Sequence, residues 1–506
     1  MSSNNSNVLS KWVPRNAKAI TTLAVIVAFV NSVTMGYDTA MMNSLNILPQ
    51  YKDYFHLNTA TTGLNNGALW MGNVLGAAII QPISDRYGRK MALLIASCIC
   101  LVGTIIQAAA QNVGTFVVGR ILIGIGSELA SGPGPSLIAE TVNPLQRGTV
   151  LGLYFSFFYA GSLISAAINL GMVEISTTWA WRIPSILQAV PSLLSITVLP
   201  FVPESPRWLL AKGRIAEARE ILAIMHGNND VNSAETNSAL VEISLALKLE
   251  EENHPKHPWR ELVSSKANVR RLIIIVSFGV MVQMLGNFVI TYYLGDMLSQ
   301  AGITSSTTQL QINTILSCWA FGIAITGSLL TDVIGRRAMA MLGLIGMICA
   351  LYIFGGLTKA YGTSDNHSAI YGTVSIAFVF QGFYAFSFTP LTTIYPTEIL
   401  SFKIRTAGIS LFRLLASCFG LIASFAMSYA MSNIGWKFYM INASWNIIFL
   451  IIVYFFWVET RRLPLEDIAL KFGDLDSEDL IVEGIREDVV SEIRLHDSDI
   501  LKSSIN

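Results

Sequence analysis

Residues 84–90 read SDRYGRK, and residues 331–337 read TDVIGRR. Each is a short charged turn in an apolar chain. Blocks 65–83 and 91–110 flank the first, and blocks 311–331 and 338–357 flank the second. A helix rises about 1.5 Å per residue, so roughly 20 apolar residues cross a bilayer. Both turns therefore read as links between membrane-crossing helices.

Working outward, eight further blocks complete the set: 19–45, 113–135, 148–171, 183–202, 270–296, 371–394, 404–431 and 437–458. Backbone groups in lipid must bond within their own segment, so all twelve read as helices. Composition agrees. Hydrophobic residues make up 52% of the 506 and charged residues 13%, where soluble chains carry about 25% charge. The expected fold class is an all-α membrane protein of twelve transmembrane helices in two pseudo-symmetric six-helix bundles, joined by a helical loop domain.

The lysines and arginines set an orientation. Lys11, Arg15 and Lys18 precede the first block. Arg86, Arg89, Lys90, Arg147, Arg336, Arg337, Lys403 and Arg405 fall in alternate loops. The opposite loops carry only Lys52, Arg182, Lys359 and Lys437. Both termini are expected in the cytoplasm. The expected divisions are a tail 1–18, a bundle 19–202, a cytoplasmic helical domain 203–269, a second bundle 270–458 and an acidic tail 459–506. Within the loop domain, GRIAEAREIL and SALVEISLALKLEEE read as amphipathic helices. The tail stretch GDLDSEDLIVEGIREDVVSEIRLHDSDI holds ten acids against two arginines and reads as disordered or loosely helical.

A second charged pattern recurs. Glu140 precedes Arg147 by seven residues, and Glu398 precedes Arg405 by seven. Parallel repeats of six helices mark a transporter whose substrate site lies between the halves near the midplane. Acids and bases at facing helix ends would latch a cytoplasmic seam, and opening the cavity inward would break them. The alternative is that these charges only enforce topology.

The chain resembles the sugar-porter branch of the major facilitator superfamily, close to fungal lactose and hexose permeases. The resemblance runs in order through GYDTAMMNS, SDRYGRK, GRILIGIG, PSLIAETVNPLQRG, WRIPSILQ, PESPRWLLAKGR, QMLGNFVITYYL, TDVIGRR, YPTEILSFKIR and VETRRLPLEDI, from about residue 36 to 470. It implies alternating access around a central cavity. It also implies gating roles for Asp85, Arg89, Glu140, Arg147, Glu204, Arg207, Asp332, Arg336, Arg337, Glu398, Arg405 and Glu459.

Asp38 stands inside the first block, where an ionisable group costs at least ~2.5–3.5 kcal/mol unless paired or functional. Arg120 of the fourth block is its expected partner. At about 1.5 Å per residue, both lie roughly 9–16 Å below the outer surface. The resemblance makes Asp38 the proton site, since similar symporters couple an Asp here to that Arg. A purely structural ion pair is the alternative. Glu128, deeper on the same helix as Arg120, reads equally as a second proton site, an inward cavity acid or a partner for Arg413.

Sugar hydroxyls need both donors and acceptors, so amides and an aromatic platform suit them. Gln283, Asn287, Tyr292 and Tyr293 are the candidates, with Gln283 and Asn287 sharing a helix face. Other positions depart from the hexose-porter pattern: Phe155 for a Gln, Thr393 for a Trp, and Ala416 with Ser417 for an Asn–Trp pair. Arg413, inside the eleventh block, suits an anion if it faces the cavity. If it snorkels to the cytoplasm, it is structural.

The expected function is secondary active transport, as proton-coupled symport of a sugar or related small polar solute. Alternatives are export of a non-sugar metabolite, such as an organic acid or secondary metabolite, and a non-transporting nutrient sensor. No enzyme activity, metal or other cofactor is expected: GRILIGIG follows no strand, there is no Walker sequence, and the six histidines lie in polar segments. Expected partners are the small-molecule substrate, protons and the lipid bilayer, with no nucleic acid, around a monomer. Cys98, Cys100, Cys318, Cys349 and Cys418 read as small buried hydrophobes. Asn366, in SDNHSA, is a glycan acceptor candidate. No cleaved signal peptide is expected, and the plasma membrane is expected by resemblance.

Overall fold

The computed structural model describes residues 9–142, 144–252, 258–361, 367–401, 404–461, 463, 468 and 471–473. The sequon at Asn366 and the acidic stretch 474–506 lie outside the described residues.

The first half holds α1 (Ala17–Ile47), a short α2 (Pro49–Phe55), α3 (Thr59–Tyr87), α4 (Arg89–Ala108), α5 (Val113–Ala130) continued by α6 (Pro133–Thr141), α7 (Pro144–Met172), and α8 (Trp179–Leu187) continued by α9 (Ala189–Val198). Four helices follow: α10 (Pro206–Ala211), α11 (Ile215–His226), α12 (Ala234–Glu252) and α13 (Pro258–Glu261). The second half holds α14 (Lys266–Met284) continued by α15 (Asn287–Gln300), α16 (Ser306–Ile334), α17 (Arg336–Tyr361), α18 (His367–Ile399), α19 (Arg405–Asn433) and α20 (Lys437–Phe456).

Helix starts follow side-chain chemistry. Asn16, Asn112, Ser265 and Ser305 each accept a hydrogen bond from a first-turn N–H, and Asn58 and Thr61 form a reciprocal box at α3. Such caps satisfy donors that the helix leaves open. Three spans break mid-membrane. The α5–α6 break falls at Gly132–Pro133, the α8–α9 break at Gln188, and the α14–α15 break at Leu285–Gly286. Gly286 sits at φ +103°, and a Cβ there would meet the Asn442 amide at 2.9 Å.

Eleven of the twelve spans are apolar enough to cross a membrane on composition alone. The other, α3, carries Asn65, Asn66 and Asn73, all buried. The helix packs on α5 and α19, and Asn65 and Asn66 bond Tyr51 of α2 and Asn46 of α1 rather than facing lipid. Length and burial, not average hydropathy, make it a span.

The halves meet along α3–α19 and α7–α16. The helices α10–α12 pack together at one end of the bundle. The N-terminal segment joins them there, with Leu9 N–H donating to Glu220 at 2.9 Å and Arg15 bonding the same carboxylate. We call this end the loop-domain side. The cysteines differ from expectation: Cys100 is buried, but Cys98, Cys318 and Cys349 lie on the bundle surface and Cys418 is half-buried. A thiol facing acyl chains costs as little as one in a protein core.

Candidate functional site: a central cavity between two halves

The internal repeat is a matched pair of side-chain cages. In the first half, Arg89 meets Glu140 at 3.4 Å and Asp85 at 3.9 Å. In the second, Arg336 meets Glu398 at 2.6 Å and Asp332 at 2.8 Å. Each cage has a third acid, from the far end of its half. Glu204 accepts the N–H groups of Arg89, Lys90 and Ser205, with Arg89 at 2.9 Å. Glu459 accepts those of Arg336, Arg337, Thr460 and Arg461, with Arg336 at 2.8 Å. Both acids thus cap the start of a helix, where negative charge is stabilised. Room for them comes from Gly88 at φ +95° and Gly335 at φ +98°. Burial pushes the Glu204 carboxyl above its usual range, and its N–H partners partly offset this.

These geometries refine the latch. The acids Glu140 and Glu398 each pair with the arginine of the other motif in the same half. The ion pairs of Arg89 and of Arg336 with these acids each lie within one half. Arg337 bonds the Tyr454 carbonyl, and Arg405 donates to the Leu400 carbonyl at 3.4 Å. Arg207 of α10 lies near enough to Arg405 to repel it. The Arg147 side chain lies outside the described residues.

Across the seam, the side away from the loop domain is closed by neutral groups. Asn43 donates to Asn313 at 2.9 Å and accepts from the Leu294 N–H at 3.3 Å. Asn46 donates to the Tyr292 carbonyl at 3.1 Å. Trp70 donates to the Tyr292 hydroxyl at 2.9 Å, and Ser428 to the Thr59 carbonyl at 2.7 Å. Below this seal lies a cavity of about 190 Å³. That is smaller than the ~300–1,000 Å³ of a drug-sized site and fits one small solute.

Gln283, Asn287, Tyr292, Arg413 and Glu128 all line this cavity. Tyr293 does not; its hydroxyl donates to the Ser424 carbonyl at 2.7 Å. The α15 backbone departs from helix at Tyr293, φ −128° and ψ 24°, so the two tyrosines face apart. Phe155, Ala416 and Ser417 also line the cavity, whereas Thr392 rather than Thr393 does so on α18. Sequence reasoning missed Gln381 and Tyr159. Gln381 donates to the Tyr159 hydroxyl at 3.3 Å across the halves. Its carbonyl oxygen and that of Asn287 are buried without partners. A lone amide in VFQGFYAF was the available signal for Gln381.

Asp38 lies outside the cavity, fully buried behind it. Arg120 reaches it, but at the main chain: Nη1 donates to the Asp38 carbonyl at 3.1 Å. Among the described residues, no ion pair joins the guanidinium to the carboxylate. The carboxylate Oδ1 instead accepts from Gln188 Nε2, and Gln107 fixes Gln188 by donating to its Oε1 at 3.2 Å. Oδ2 of Asp38 and Nε and Nη2 of Arg120 are buried without partners. Sequence reasoning missed Gln188, which sits at the α8–α9 break in WRIPSILQ.

Glu128 accepts from Ser131 Oγ at 3.3 Å. Arg413 lies over the Phe155 ring at 5.6 Å. The two act on each other electrostatically yet form no ion pair among the described residues.

Comparison with known proteins agrees with this architecture. The profile of the family described as "Sugar (and other) transporter" matches residues 23–472. The high-affinity glucose transporter of Kluyveromyces lactis is 29% identical over 466 residues, covering 88% of this chain and 84% of that one. The sugar transporter STL1 of Saccharomyces cerevisiae is 25% identical over 498 residues, covering 92% and 85%. The xylose transporter XylE from E. coli, in a partially occluded inward-open conformation, superposes with a TM-score of 0.74 at 21% identity, covering 87% of this chain and 99% of that one. The chain therefore belongs to the sugar-transporter family of the major facilitator superfamily, and it is a multi-pass membrane transporter rather than an enzyme.

Proposed function

We propose that the chain carries a sugar or related polyhydroxylated solute in symport with protons, by alternating access. The observation behind this reading is the arrangement at Asp38. Its carboxylate is wholly buried, held by Gln188 on one oxygen and open on the other. Arg120 sits one hydrogen bond away, on the carbonyl of the same residue. A small rotation brings the guanidinium onto the carboxylate or leaves the carboxylate to hold a proton. That exchange couples proton occupancy to the position of α1 against α5.

The solute binds in the cavity, where Asn287 Oδ1 and Gln381 Oε1 accept from hydroxyls and Gln283 donates and accepts. Tyr292 supplies an aromatic wall and connects the solute to the seal. In this reading the loop-domain side is cytoplasmic, both termini lie there, and the membrane is the plasma membrane. The cages of Asp85, Arg89, Glu140 and Glu204, and of Asp332, Arg336, Arg337, Glu398 and Glu459, keep each half rigid. Arg147, Arg207 and Arg405 act at the seam between them.

The test is expression in cells lacking their own sugar carriers, with external pH recorded as solutes are added. Alkalinisation by one solute that disappears in Asp38→Asn supports the reading. Full concentrative uptake by Asp38→Asn overturns the role of Asp38.

A further inference from the structure

We propose that Arg413 and Glu128 form an anion-plus-proton site at the loop-domain end of the cavity, so that the solute carried bears a carboxylate beside its hydroxyls. The inference deepens the transport reading above and rests on it.

Arg413 comes from α19 and Glu128 from α5, so the two charges stand on different halves and line one cavity. Among the described residues, no hydrogen-bond acceptor lies within reach of the Arg413 guanidinium. It rests over the face of Phe155. A guanidinium presents five donors in a planar fork, and a carboxylate fills two of them at once. A neutral sugar makes no comparable use of a cation. Snorkelling does not explain the placement, because Arg413 lines the cavity rather than reaching out of the bundle.

Glu128 explains how the cavity tolerates that cation when no solute is present. It is buried at 4% exposure, and Arg413 and Tyr154 are the charged and titratable groups that act on it. With both ionised, the site is neutral. A bound carboxylate takes over the Arg413 charge and leaves Glu128 as an excess buried anion. One proton on Glu128 restores neutrality. No bond is made or broken apart from that proton transfer, and the proton leaves with the anion when the cavity empties. The unpartnered amide oxygens of Asn287 and Gln381 then read the hydroxyls. The class is a small polyhydroxylated carboxylate of aldonate or uronate type.

The test uses the full-length protein in liposomes, with D-glucose, D-xylose, D-gluconate and D-galacturonate as probes. Uptake and calorimetric binding are measured at about pH 5.5 and about pH 7.5, where a sugar carboxyl is ionised throughout. We expect an acid to be carried, and to bind about tenfold more tightly at the lower pH. Glu128→Gln should flatten that dependence. Arg413→Gln should lower the ratio of acid to neutral uptake about tenfold, and Arg413→Lys should restore part of it. Wild-type transport of a neutral sugar with no binding of either acid overturns this inference and leaves the symport reading standing. An unchanged ratio in Arg413→Gln also overturns it. If the folded wild type carries none of the four, the underlying reading falls, and this one with it. Should Arg413→Gln not fold, the wild-type preference and the Glu128→Gln pH profile decide.

Discussion

Gln188 donates to the carboxylate of Asp38, while Arg120 donates to the carbonyl of the same residue. Gln188 is itself fixed by Gln107 of α4. Three helices thus set the orientation of one acid. Gln188→Leu should lower pH-dependent uptake about tenfold, because a hydrogen bond to a charged group contributes roughly 1.5–3 kcal/mol. Asp38→Asn should abolish uphill uptake and leave solute exchange in place. Counterflow in proteoliposomes separates these outcomes.

Loosening the seal should bias the carrier toward opening on the side away from the loop domain. Asn313→Ala removes the acceptor for Asn43 and the donor to Ser44. At about 1–3 kcal/mol for buried bonds, the population shift is roughly five- to hundredfold. Spin labels on α1 and α16 report the separation. An unchanged distance distribution would show that the seal rests elsewhere.

Glu204→Ala should destabilise the first half by about 1.5–3 kcal/mol, since the N–H groups of Arg89 and Lys90 lose their acceptor. Thermal unfolding in detergent measures this. The pH dependence has a defined sign. Because burial raises the Glu204 carboxyl, its folded state favours the proton more than the unfolded chain does. Wild type is then most stable relative to Glu204→Gln below the usual carboxyl range of about 4.3. That advantage is lost as pH rises through the raised value.

Gly335→Ala should cost about 1–3 kcal/mol. Its φ of +98° with ψ 153° is a region open essentially to glycine. A Cβ there also meets Glu459 Oε2 at 2.7 Å. Gly88→Ala should behave alike, and unequal losses would mean that the two halves differ in rigidity.

Asn287→Ala should raise the KM for the solute without lowering surface expression. An unaltered KM would place the solute elsewhere in the cavity.

The twelve spans were legible because lipid leaves the backbone no other way to satisfy its hydrogen bonds. The repeat of SDRYGRK in TDVIGRR marked two matching charged turns, and the structure builds each into a cage within its own half. What the sequence concealed was pairing. The charges read as a latch across the seam, but Glu140 reaches Arg89 on another helix of its own half. Distance along one helix says nothing about which neighbouring helix is nearest. Gln188, Gln381, Asn43 and Asn313 were hidden for a related reason. A single amide in an apolar run looks the same whether it binds a ligand, seals a seam or positions an acid. Tyr293 was misjudged because a local departure from helix cannot be seen in residue types.

The break at Gly286 begins a segment of 14 residues, α15, that does two tasks. Its first residue, Asn287, lines the cavity. Five and seven residues on, Tyr292 and Leu294 supply the carbonyl and N–H that Asn46 and Asn43 hold. Occupancy and closure are therefore carried by one short segment, and reciprocity applies between them. A variant that grips its cargo harder only in the closed state has its closure favoured by the same factor when cargo is bound. It also releases that cargo more slowly. Selection for scavenging at low concentration and selection for high flux must then pull this short segment in opposite directions.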